Sequence, residues 1–247
     1  MDKVIKFTAT MFIVIFVVFI SILAYNAFVE NAYRQSLVST YSYKCTISSD
    51  AVLTNVTLFI PVPVDNAGNS PIVERFSVRE VNGLPPEWKT TLLGSNKGTM
   101  VKISTPVINP AQNGTMGKEY TIELTLRAPS PRLIDTRTPL VNDAMFRPVQ
   151  DLRNADCRET TGGGTGKGTC YSYSSAVYAD YSSSLDARVS IGSEVAGRNE
   201  WKIFEPAFNE YQTSISVLMT GDQHGWVIAR GFMEVGVGSY DVPVIKK

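Results

Sequence analysis

Histidine is all but missing from this chain: His224 is the only one in 247 residues, which excludes a zinc site built on several imidazoles. A serine triad needs a single histidine, but no serine here stands in a G-x-S-x-G turn. His224 itself falls in Gly221-Asp222-Gln223-His224-Gly225, a composition that reads as a turn rather than as a catalytic setting. An excess of positive charge is also lacking, with 23 basic against 23 acidic residues. A nucleic-acid groove or an anionic-lipid patch requires such an excess, so nucleic acid is not expected as a partner.

Phosphate-binding motifs fail on inspection. The stretch Thr160 to Thr169 combines several glycines with Lys167, but Gly168 stands where a P-loop needs Ser or Thr. Gly162 and Gly164 are followed by Lys167 where a dinucleotide fingerprint needs a third glycine, and no helix is expected after them. Asp65-Asn66-Ala67-Gly68-Asn69 lacks an oxygen ligand at Ala67 and reads as a hairpin turn rather than a calcium loop. Asp151, Asp156 and Glu159 crowd the approach to the glycine loop, as carboxylates on surface loops commonly do. No cofactor, metal or catalytic residue is therefore expected, and the chain reads as a non-enzyme.

What the sequence does contain is one long apolar run. No charged residue occurs from Phe7 to Phe28. At 1.5 Å per residue, roughly 21 helical residues cover about 32 Å, close to the ~30 Å hydrocarbon core of a bilayer. Residues 7–28 are expected to form a single transmembrane signal-anchor helix with the lipid bilayer as its partner. A cleaved signal peptide is the rival, but the run exceeds the usual apolar region and Ala24-Tyr25-Asn26-Ala27 is not an A-x-A site. Lys3 and Lys6 place the tail, residues 1–6, in the cytoplasm and the remainder outside. Without the tail's two lysines and one aspartate the external part carries a net charge of about −1.

Residues 29–42 mix polar and apolar positions at helical spacing and suggest that the helix continues as a stalk. Beyond them the period changes to two. Tyr120, Ile122, Leu124 and Leu126 alternate with Thr121, Glu123, Thr125 and Arg127, the signature of a half-buried strand. Similar runs, among them Val52 to Ile60, Val73 to Glu80, Glu200 to Phe204, Tyr211 to Met219 and Trp226 to Val235, are separated by Gly- and Asn-rich turns. This pattern predicts an all-β domain over 43–247, an antiparallel β-sandwich of one lobe or two. Four prolines mark 128–148 as a crossover or a lobe boundary.

An external location permits a disulfide, and Cys157 and Cys170 flank the glycine loop that such a bond would close. Cys45 then remains as a buried free thiol. Asn55 and Asn113 each begin an N-x-[ST] acceptor, about what chance supplies in a chain this rich in Asn, Ser and Thr. Trp88, Trp201 and Trp226 are expected in the core. Tyr171, Tyr173, Tyr178 and Tyr181, set among serines, form a candidate binding surface. Together these features point to a cell-surface or envelope interaction protein, with a protein partner or a second copy as its ligand. An accessory subunit of a larger membrane assembly is the alternative, and a membrane-tethered hydrolase a third.

Overall fold

The computed structural model describes residues 2–110, 120–157 and 168–240. Helix α1 (Asp2–Ser36) is unbroken. It is long and apolar enough to cross a membrane, and its apolar window is wholly exposed. The helix does continue past residue 28, but it does not stand clear as a stalk. Val29 is buried, the Tyr33 ring meets Trp201 edge-on at 5.6 Å, and the first strand begins at Val38 rather than at 43.

Strands β1 (Val38–Ser49), β2 (Leu53–Pro61), β3 (Lys89–Ser95), β4 (Gly98–Ile108), β5 (Tyr120–Pro129), β6 (Gln150–Ala155), β7 (Thr169–Ser182), β8 (Arg188–Lys202), β9 (Pro206–Thr220) and β10 (Gln223–Gly238) form one antiparallel sheet. Its order is β3-β4-β2-β7-β10-β9-β8-β1-β5, with β6 added beside β7. The class is the mostly antiparallel β fold that the alternation implies, and the sheet curls so that its two halves face each other across one hydrophobic cluster. Period-two burial is clearest in β8, where Val189, Ile191, Ser193, Val195, Gly197, Asn199 and Trp201 all point inward. The terminal strands β3 and β5 are brought together by helix α2 (Pro71–Ser77), which touches both of them and β1.

The apolar alternation of Val73 to Glu80 suggests a strand, and here the structure corrects the sequence reading. The Ser70 side chain accepts from the Val73 amide as an N-cap and Pro71 occupies the first turn. Ile72 and Phe76, four residues apart, then bury one helical face, with Phe76 5.6 Å edge-on from Tyr43. The loop before it is indeed tight: the Asp65 carboxylate accepts from the amides of Ala67 and Asn69, and Gly68 has φ 81°. It leads into α2, however, and is no hairpin.

The segment between β5 and β6 carries a second short helix, α3 (Pro139–Asn142), and buries Ile134, Ala144, Met145 and Phe146 in the same cluster as the strands. Two inward side chains fasten it. Asn199 of β8 accepts from the Ile134 amide at 3.1 Å and donates to the Ile134 carbonyl at 2.9 Å, so it pairs with that residue as a strand would. Asp143, 1% exposed, accepts from the Tyr41 hydroxyl at 2.7 Å and the Asp135 amide at 2.8 Å.

Cys157 and Cys170 are bonded to each other, 13 residues apart in sequence. Cys45 is free and fully buried in β1, where burial pushes its thiol pKa up, so it is an inert core residue. Closing a loop of this size confines the unfolded chain by about 3 kcal/mol. The double variant Cys157→Ser/Cys170→Ser should therefore lose about 2–3 kcal/mol in denaturant unfolding of the full chain in detergent. Dithiothreitol should lower the wild type to the same midpoint and leave the variant unchanged; an unaltered wild-type midpoint would mean the bond contributes nothing.

Candidate functional site

The four tyrosines proposed as one binding surface do not share a face. Tyr173 and Tyr181 project inward and are 4% and 1% exposed, so they belong to the core. Their alternation along β7 decides this, because inward and outward positions differ by one residue. Tyr171 packs partly against the core as well. Tyr178 alone lies fully on the outer face, and there it has company that the sequence did not reveal. Its ring stacks on Phe59 of β2 at 4.8 Å and meets Trp226 of β10 edge-on at 5.5 Å. Register brings them together, since Tyr178 pairs with Phe59 on one side and Trp226 on the other. Trp88 and Trp201 are buried as expected, but Trp226 is 44% exposed.

The aromatic cluster continues into aliphatic surface. Ile228, two residues along β10 on the same face as Trp226, is 74% exposed, and Leu218 of β9 is 69% exposed. Both line a cleft of about 700 Å³ together with Val227, Ser190, Gly192 and Arg230. The cleft has a cause in the hydrogen bonding. Strands β9 and β10 pair with each other only from Ser216 and Arg230 toward Asn209 and Gly238. Nearer their connecting turn, β9 pairs with β8 through Thr220 and β10 pairs with β7 through Gln223. Among the described residues the two arms thus part toward Gly221, each held by its outer neighbour.

Placement relative to α1 is equally informative. The helix meets the sheet at the end of β8, where Ser36 Oγ donates to the Lys202 carbonyl and accepts from its amide, both at 2.9 Å. Leu218 pairs with Ser190, at the opposite end of β8. Twelve residues at 3.3 Å put it roughly 40 Å along the strand from the helix. Val52 and Leu185, on the neighbouring turns at that far end, are 47% and 91% exposed.

No family model matches this chain, and neither a curated protein nor a solved structure is significantly similar to it. The site therefore stands on its own geometry.

Catalytic groupings are sparse among the described residues. His224 lies on β10 rather than in the turn, and its Nδ1 is 2.8 Å from the Asp180 carboxylate, its cross-strand partner on β7. Both side chains are largely exposed to solvent. Asp151 and Asp156 are exposed on and after β6, while Glu159 falls outside the described residues. Cys157, Cys170 and Glu234 are close enough to suggest a metal cluster, but with the sulfurs bonded to each other one carboxylate remains, and burial and Glu210 push its pKa up. Of the two glycosylation acceptors, Asn55 is exposed on β2 with φ 54°, and Asn113 lies outside the described residues.

Proposed function

We propose that this protein is a membrane-anchored, non-enzymatic interaction module that holds an apolar docking face away from the bilayer. In this reading α1 spans the membrane with the short amino-terminal tail in the cytoplasm, and the β domain lies outside. The observation that carries it is the exposure of Leu218, Trp226 and Ile228 on one outer face, at the end of the sheet farthest from the helix. Contiguous apolar surface of this kind is uncommon on a protein that meets only water. The ligand is a protein bearing an apolar ridge that fits the parted arms of β9 and β10, with Tyr178 and Trp226 as rigid aromatic anchors.

The test is capture in the native cells. A photoreactive amino acid at 218 or 228 is expected to give discrete protein adducts, and one at Val141, exposed elsewhere on the domain, is not. Adding Leu218→Asp to the probe at 228 should reduce its adducts at least tenfold. A membrane-impermeant amine reagent applied to intact cells should modify Lys89 and Lys202 and spare Lys6. Adduct yields at 218 and 228 no higher than at 141 would defeat the docking face, and modification of Lys6 alone would reverse the orientation.

A further inference from the structure

We propose that the turn between β8 and β9 is a second membrane contact, with Phe204 inserted among the lipid headgroups of the bilayer that α1 crosses. The inference rests on α1 spanning that bilayer, and it concerns the end of the domain opposite the docking face.

Phe204 is 64% exposed on a turn between two of the longest strands, flanked by Lys202 and Glu205. Its neighbours are the rings of α1. Tyr25 lies 6.4 Å away in a stacked arrangement and Phe28 lies 6.1 Å away. Those two residues occupy the last turn of the uncharged run from Phe7 to Phe28. A run of about 32 Å that starts just past Lys6 uses up a hydrocarbon core of ~30 Å by that point, so Tyr25 and Phe28 sit at its outer boundary. A ring packed on both must share their depth.

Helix tilt strengthens the conclusion, because a stretch slightly longer than the core is thick leans over and draws its end inward. The turn cannot swing away from this position. Val29 is 5% exposed, Tyr33 packs on Trp201, and the paired Ser36 and Lys202 hydrogen bonds join the helix end to the end of β8. An aromatic side chain at the boundary between hydrocarbon and water is stabilised there, whereas in water the same ring only exposes apolar surface. Two attachment points on one bilayer then fix how the domain stands on it, which a single flexible anchor would leave free.

The experiment uses the full chain in phosphatidylcholine nanodiscs. Spin labels are placed singly through Phe204→Cys, Ile15→Cys and Ile228→Cys. The native cysteines do not compete, Cys45 being buried and Cys157 and Cys170 bonded to each other. Relaxation by oxygen, which partitions into lipid, is compared with relaxation by a water-soluble nickel chelate. Oxygen should dominate at 15 and the nickel chelate at 228, with 204 at a ratio between the two. If 204 groups with 228 while 15 remains in lipid, the second contact is overturned and the anchor stands. If 15 also groups with 228, both are overturned.

Discussion

Replacing Asn199 with leucine is expected to destabilise the protein by about 3–5 kcal/mol, because it strands several buried polar groups at once. The side chain is 1% exposed and uses its full hydrogen-bonding capacity. Its oxygen accepts from Ser39 Oγ at 2.6 Å and from the Ile134 amide, and its nitrogen donates to the Ile134 carbonyl and to Asn209 Oδ1 at 2.8 Å. Leucine matches the volume and meets none of these demands. The Ile134 amide and carbonyl belong to a chain segment crossing over the core, with no neighbouring strand to replace the lost partner. In a domain of this size such a loss lowers the melting temperature by roughly 10 °C. Asn199→Asp separates the two halves of the interaction: it keeps the acceptor and sets a carboxylate against two carbonyl-type oxygens, so it should be no more stable than the leucine variant. A loss under 1 kcal/mol for Asn199→Leu, measured by denaturant unfolding in detergent, would show that the crossover is held elsewhere.

Two glycines are expected to behave opposite to strand glycines in general. Glycine weakens a strand interior, so alanine commonly improves it by about 0.5–1 kcal/mol. In this sheet a Cβ on Gly197 would stand 2.3 Å from the ring of Tyr211, and a Cβ on Gly231 would stand 2.4 Å from the ring of Tyr173. Each tyrosine is the direct cross-strand partner of its glycine and lies over the space that glycine leaves. Neither ring is free to retreat. Tyr211 is fully buried and donates to the Ala144 carbonyl at 2.6 Å, and Tyr173 shares a hydrogen bond with Thr213 at 2.7 Å. Gly197→Ala and Gly231→Ala should therefore each cost about 2–3 kcal/mol through overpacking. Gly94 on β3 has nothing within 4 Å of its Cβ position, and Gly94→Ala should be neutral or slightly stabilising. Equal effects at all three positions would remove the steric explanation.

Exposed apolar and aromatic side chains gather at two opposite ends of the domain. Near the helix the aromatic residues Tyr25, Phe28, Tyr33, Trp201 and Phe204 gather around the exit of α1. At the far end Leu218, Trp226 and Ile228 present apolar surface on an outer face. Under the proposed function, the first end rests on the membrane that α1 crosses and the second meets a partner.

The sequence by itself determined the apolar helix and the antiparallel β class, because each depends on local length or period; it offered Cys157 and Cys170 as a candidate pair, and the tertiary structure bonds them and buries Cys45. An uncharged run is legible residue by residue, and alternation in β5 or β8 needs only neighbouring positions. It did not determine α2, whose apolar residues also satisfy a strand period until the Ser70 cap and Pro71 are weighed. Nor did it separate Tyr178 from Tyr173 and Tyr181, or Trp226 from Trp88 and Trp201. Composition is the same in each group, and only pairing register decides which face of the sheet a side chain occupies. The exposed apolar face was beyond reach for the same reason: Phe59, Tyr178, Leu218 and Trp226 are brought together by a curled sheet whose β9 and β10 part company near their turn, an arrangement of hydrogen bonds between distant segments that no local pattern encodes.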